Sequence, residues 1–295
     1  MGAAIEVVNL VKKYGNHTVI HGLSFTAMQG EIFALLGANG AGKTTTLECI
    51  EGIRRYHEGT IRVHGRIGVQ LQSSSLMENI TALEAYKLFS KWNNAKVDQT
   101  VLQNFGIMEF RNKQYGTLST GQKRKLHLVI ALINDPDIII LDEPTAGLDP
   151  QARAAVWKYI RRVQKERGTT VFLTTHYMDE AETCDEICIM DKGKIAASGT
   201  PAELKEEFSR PVLKLQTWDP VELTAFLESR RVQFSRAAES FHIQPENVDM
   251  ELEILSRFKE DIVSFTADNG SLDDVFLTIC GTGTPSYAAA VLKEE

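Results

Sequence analysis

An α/β architecture with a smaller α+β domain behind it follows from three features of this 295-residue chain. Apolar strand candidates at Ile32 to Leu36, Ile138 to Leu141 and Thr170 to Leu173 alternate with helix-compatible stretches, as in a largely parallel sheet covered on both faces. The first strand runs into GANGAGKT, Gly37 to Thr44, a glycine-rich turn that opens a helix. Beyond Ser209 the order becomes strand, helix, strand, strand, helix, strand, the βαββαβ pattern of a ferredoxin-like domain.

The elements follow in order. Ile5 to Phe25 alternates apolar and polar residues around a KKYGNHT turn, which predicts paired strands with one buried face and hence an antiparallel β subdomain. Ile32 to Leu36 is the strand before the glycine-rich turn, and Thr45 to Ile50 the helix after it. At Thr81 the period becomes helical: TALE is a capping box, and Leu83, Tyr86, Leu88 and Phe89 recur at helical spacing. A helical subdomain over about 79–133 is expected. The strand Ile138 to Leu141, a helix from Gln151 to Lys165 and the strand from Thr170 complete a mixed core sheet, giving a first domain of 1–209.

The composition shift at Ser209 to Pro211 predicts a boundary. After it come strand Val212 to Thr217, helix Pro220 to Ser229, strands Val232 to Ser235 and Ser240 to Gln244, helix Val248 to Phe258, and strand Asp261 to Thr266. A short helix from Leu272 to Ile279 closes an accessory domain of 210–280, and 281–295 reads as a mobile tail.

A net charge of −7 argues against a phosphate-backbone binder, so no nucleic-acid partner is expected. The basic run Lys123, Arg124, Lys125 reads as a solvated helix face. No apolar run approaches the roughly 18 residues of a membrane span, and MGAAIEVVNL lacks a basic region and a long apolar stretch, which predicts a cytosolic chain. Cys49, Cys184, Cys188 and Cys280 have neither zinc nor disulfide-framework spacing and read as reduced thiols.

In a strand-to-helix turn of the GANGAGKT type, the backbone N–H groups and the positive end of the helix face an anion. Gly37, Asn39, Gly40, Ala41, Gly42 and Thr45 would line phosphates, Lys43 would reach the β- and γ-phosphates of ATP, and Thr44 would ligate Mg²⁺. DIIILDEP ends an apolar strand in two carboxylates: Asp142 would hold the metal ion, and Glu143 would polarise the attacking water.

Leu118 to Gln122 reads LSTGQ, and with the preceding motifs the chain resembles the nucleotide-binding subunits of ABC transporters over about its first 205 residues. The signature is also a capping box, with Ser119 and Gln122 at Ncap and N3, and a capped helix start is what an anion would use. Thr120 stands where the family usually has glycine. The resemblance implies that Ser119, Gly121 and Gln122 contact nucleotide across a dimer, that Tyr14 stacks on adenine, and that Asp149, ending AGLD, crosses to the second subunit. It further implies that His176 is the switch histidine at the γ-phosphate, and that Gln72 meets both Mg²⁺ and the attacking water, with Gln70 as competitor. The segment from Val63 to Ile67 is shorter than relatives usually show.

THYMDEAE, AGLD, MDKGKIAASGTPAEL and SLDDVFL resemble the drug-resistance type of ATPase, allied to the ABCA family. That resemblance implies a homo- or heterodimer of nucleotide-binding subunits, peripheral at the cytoplasmic face of the membrane, working with separate polytopic permease subunits of the ABC-2 export type. The rival expectation is a soluble ABC ATPase acting on ribosomes or nucleic acid, but one cassette without a heptad run fits it less well.

Overall fold

A computed structural model describes residues 2–70, 76–209, 212–237, 240–268 and 270–281. The chain divides into two compact units, 1–198 and 199–295.

In the first unit, β1 (Ala3–Tyr14) and β2 (His17–Met28) form a hairpin. β3 (Ile32–Leu36) leads through the glycine-rich turn into α1 (Lys43–Ile50), and β4 (Glu58–Val63) returns to pair with β1. β5 (Ile67–Val69) precedes a helical layer of α2 (Ala82–Trp92), α3 (Gln99–Asn104) and α4 (Thr120–Ala131). β6 (Ile138–Asp142), α5 (Pro150–Arg167), β7 (Thr170–Thr175), α6 (Met178–Ala181), β8 (Glu186–Asp191) and β9 (Lys194–Gly199) follow.

Two sheets result: an antiparallel one ordered β2-β1-β4, and a six-stranded one ordered β5-β6-β7-β3-β8-β9 whose pairs from β5 to β8 are parallel. They are packed face to face through aromatic rings. Phe25 of β2 stacks on Phe33 of β3 and Phe172 of β7, with centroids 5.4 and 5.8 Å away, inside a core that includes Ile5, Leu10, Leu35, Ile140 and Met190. Every residue of β3 and β7 is buried, which is why those strands read as unbroken apolar runs.

Register positions the chemistry. Leu36 lies beside Thr175, and Asp142 beside Thr174, so the turns after β3, β6 and β7 emerge together at the C-terminal edge of the sheet. Ligands of open α/β sheets bind at that edge.

In the second unit, α7 (Pro201–Phe208) packs against α10 (Leu272–Cys280). β10 (Val212–Thr217), α8 (Pro220–Arg230), β11 (Gln233–Ala237), β12 (Ser240–Gln244), α9 (Val248–Arg257) and β13 (Ile262–Asp268) form a βαββαβ unit. Its sheet runs β11-β12-β10-β13 with every pair antiparallel, the ferredoxin-like order. The sequence places a boundary at Ser209 to Pro211; the compact units divide at Ser198, because α7 finds its apolar contact on α10, with Leu204, Leu272 and Val275 buried. The tail 282–295 lies outside the described residues.

Among the described residues no helix is long and apolar enough to cross a membrane. The run Lys123 to Lys125 is not a solvated face: the three side chains are half-buried, with Lys123 4.7 Å over the Tyr115 ring and Lys125 5.6 Å over Tyr159. The two ammonium groups lie over aromatic faces, a cation–π use of lysine that charge counting misses.

Candidate nucleotide site

The glycine-rich turn owes its shape to two close approaches. A Cβ on Gly37 would lie 2.4 Å from the Met190 carbonyl oxygen, and Gly42 has φ +103°, a conformation that side chains rarely adopt. The turn is therefore threaded past β8 and closes tightly into the start of α1.

Lys43 is 5% exposed, and its ammonium donates to the Gly37 and Ala38 carbonyls at 2.8 and 3.1 Å. Burial holds its pKa below the usual lysine value, an effect opposed by the Glu143 and Asp142 carboxylates; Glu143 Oε1 lies 3.8 Å away. The Thr44 hydroxyl donates to Asp142 Oδ2 at 3.2 Å. The Glu143 carboxylate also meets His176 Nδ1 at 3.2 Å. Lys43, Thr44, Asp142, Glu143 and His176 thus form one polar group, though they come from three separate turns.

Glu143 sits at φ +44°, in the left-handed region, which for a non-glycine residue costs on the order of 1 kcal/mol. Its N–H donates to Thr174 Oγ1 at 3.0 Å, and the same hydroxyl donates to Asp142 Oδ1 at 2.5 Å. Thr174 holds both carboxylate residues through one oxygen. Sequence reading passed over it, although two polar residues ending the otherwise apolar run TVFLTT were a signal.

The other expected residues are placed as follows. Ser119 and Gln122 make the reciprocal capping box of α4, with Gln122 N–H to Ser119 Oγ at 3.2 Å and Ser119 N–H to Gln122 Oε1 at 3.1 Å. Gly121 faces Ala152, and Thr120 is exposed. One residue past the box and its lysine, Arg124 is half-buried in the field of Asp142 and Glu143, and burial lowers its pKa. Asp149 caps α5 by accepting the Ala152 N–H at 2.9 Å. Tyr14 is 41% exposed and lies under two cations, Lys12 at 4.9 Å and Arg54 at 5.4 Å; the polar contacts above do not include it. Gln70 is buried, and its N–H extends the pairing of β5 with Ile140. Gln72 lies outside the described residues. Asn39, Gly40 and Ala41 form the turn itself, with Gly40 at φ +82°, and Thr45 follows on α1.

At the far end of α1, burial pushes the Glu51 carboxyl up to about 7, with Asp142 and then Glu48 adding repulsion. A folded pKa above the ordinary 4.5 means the folded chain holds this proton more tightly than the unfolded chain, so stability is lost as pH rises from about 4.5 to about 7. After discounting for partial exposure, Glu51→Gln should stabilise the nucleotide-free protein by about 1 kcal/mol at pH 8 and leave it unchanged at pH 4.5. Urea denaturation at the two pH values measures this; equal gains at both would contradict it.

A cavity of about 310 Å³ opens at the N-terminal ends of β6 and β7. Its arginine side chains are engaged, Arg66 with Asp137 and the Asn134 and Asp135 carbonyls, and Arg167 with Asp135.

Comparison with known proteins shows the family. The family profile described as ABC transporter matches residues 20–146, which include the glycine-rich turn, the capping box and both carboxylates. Nod factor export ATP-binding protein I of Burkholderia orbicola is 35% identical, the alignment covering 95% of this chain and 97% of that protein. Its counterpart in Rhizobium meliloti is 36% identical, covering 94% and 88%. Among solved structures, an ATP-binding subunit of an ABC transporter superposes with a TM-score of 0.62 at 26% identity, over 70% of this chain and 93% of that one. The ADP conformation of another ABC cassette gives 0.63 at 21% identity, over 71% and 95%, a likeness of fold. The chain belongs to the ABC transporter family, as an ATP-binding and ATP-hydrolysing subunit.

Proposed function

We propose that this ATPase drives export through separate polytopic membrane subunits, from a peripheral position at the cytoplasmic face of the membrane. Similarity to export ATP-binding proteins along nearly the whole chain supports the reading, and disfavours action on ribosomes or nucleic acid. The observation that carries the chemistry is the Glu143 carboxylate, 3.2 Å from His176 and 3.8 Å from Lys43 at the C-terminal edge of the sheet.

In this reading the loop amides from Gly37 to Thr45 receive the phosphates of ATP, and the Lys43 ammonium exchanges two backbone carbonyls for phosphate oxygens. Glu143 accepts a proton from the attacking water, and His176 donates to the γ-phosphate. Thr44 and Asp142 offer hard oxygens 3.2 Å apart, a donor set that suits Mg²⁺, with Gln72 as a further ligand. When bound, Mg²⁺ would neutralise phosphate charge. Ser119, Gly121 and Gln122 of a second subunit, homologous or identical, complete the nucleotide site, Asp149 reaches across the interface, and Tyr14 takes the adenine. Contacts made only to the γ-phosphate bias the closed dimer over the open one, and that difference is what transport can use.

The test is to express tagged Glu143→Gln in the native host, solubilise membranes with ATP present, and identify what co-purifies by mass spectrometry. Recovery of a polytopic membrane protein is the expected result. Ribosomal proteins or nucleic acid without a membrane protein would overturn the export reading.

A further inference from the structure

We propose that Glu180 is a positioning residue for hydrolysis, holding the arm that carries Glu143 and the arm that carries His176 at their working separation. This rests on the roles proposed above for those two residues. Glu180 lies on the short α6 and is 3% exposed. A buried carboxylate is costly unless its oxygens are matched by donors, and here each oxygen has a hydroxyl. Thr145 Oγ1 donates to Oε1, and Thr175 Oγ1 donates to Oε2 at 2.7 Å.

The two donors belong to different parts of the site. Thr145 follows Glu143 by two residues, in the turn between β6 and α5. Thr175 ends β7 immediately before His176, and its hydroxyl also accepts the Tyr177 N–H at 3.0 Å, so both backbone neighbours of His176 are tied to the same network. The Thr175 carbonyl accepts the Gly37 N–H at 3.4 Å, which links the network to the start of the phosphate loop. On the Glu143 side, the Thr145 carbonyl accepts the Leu148 N–H at 3.1 Å and thereby shapes the turn leading to Asp149. One carboxylate therefore clamps the two arms whose tips meet at the Glu143 to His176 contact of 3.2 Å.

The left-handed backbone of Glu143 gives that clamp something to resist. A residue in a sparsely populated conformation persists only where its surroundings over-determine it. Thr174 restrains the Glu143 N–H, and Glu180 restrains the chain just beyond it through Thr145. Releasing either side lets the base relax away from its partners, and a displacement of about 1 Å at a reacting group can cost around a hundredfold in rate.

The test measures kcat, KM, ATP affinity and melting temperature for the full chain and for Glu180→Gln, Glu180→Ala and Glu143→Gln side by side. Glutamine keeps the shape but replaces one of the two accepting oxygens with an amide donor, so one threonine hydroxyl loses its acceptor; Glu180→Gln should lose about tenfold in kcat and Glu180→Ala more, with ATP affinity unchanged. Wild-type kcat in Glu180→Gln would overturn the proposal, and so would a parallel loss of ATP affinity and melting temperature, which marks a merely structural residue. If Glu143→Gln itself kept full activity, the proposed site would be wrong, a failure distinguishable from that of Glu180 alone. Should the Glu180 variants not fold, Thr145→Val removes one bond and Thr175→Val removes two, the Tyr177 N–H bond included, and both keep the side-chain shape. Lowered kcat with unchanged ATP affinity in those variants supports the clamp, and unchanged kcat in both overturns it.

Discussion

Glu143→Gln should bind ATP at least as tightly as the wild type and hydrolyse it at least a hundredfold more slowly, since a positioned general base contributes about 10² to 10⁴ in rate. The amide is isosteric, so the hydrogen-bonded frame survives: Thr174 still accepts the backbone N–H, and His176 still has a partner at that position. What disappears is the carboxylate charge. In the nucleotide-free chain that charge compensates the buried Lys43 ammonium, so removing it leaves Lys43 with Asp142 as the remaining compensating carboxylate. Nucleotide phosphates then supply the missing charge. The variant should accordingly show a larger rise in melting temperature on adding ATP than the wild type does. Single-turnover hydrolysis and thermal shift read the two effects; wild-type turnover would remove Glu143 as the base.

Lys43→Ala should lose ATP affinity by about 10- to 150-fold, the equivalent of a charge-assisted hydrogen bond worth about 1.5 to 3 kcal/mol. The loss has two sources. The ammonium that would meet the phosphates is gone, and so are its bonds to the Gly37 and Ala38 carbonyls, which hold the loop closed at 2.8 and 3.1 Å. Asp142 and Glu143 then face incoming phosphates with no intervening cation. Titration calorimetry with ATP measures the effect; an unchanged Kd would mean that the loop amides alone carry binding.

Much of the fold was legible because strong local signals coincide with buried elements. Ile32 to Leu36 and Thr170 to Leu173 are fully buried strands in the positions their apolar runs indicated, although β7 continues to Thr175. The TALE and LSTGQ boxes cap α2 and α4 as reciprocal hydrogen bonds. Helix α5 runs further in both directions than its apolar spacing suggested, from Pro150 to Arg167, because its polar ends are defined by the Asp149 cap and Gly168 rather than by burial. Tyr14 shows where local reading stops: an aromatic at a hairpin end and its neighbour Lys12 are visible in the sequence, but its contact with Arg54, from the segment between α1 and β4, is not.

The candidate site divides the same way. Sequence by itself marks Gly37 to Thr44, Asp142 and Glu143 as candidates, since each lies in a short motif whose meaning depends on its immediate neighbours, and His176 only through the family resemblance. It also specifies the two glycines that the turn requires, because a missing side chain is a local property. Spatial order across the sheet is non-local. The adjacency β6-β7-β3 brings the turns after Leu36, Asp142 and Thr175 to one edge, the first of them far from the other two in sequence, and no spacing rule encodes it. The left-handed backbone of Glu143, the double duty of the Thr174 hydroxyl and the buried carboxylate of Glu180 between two threonines all depend on that adjacency. Tertiary structure decided them, because a hydrogen bond between polar groups on neighbouring strands exists only once the packing of the apolar faces has set which strands are neighbours.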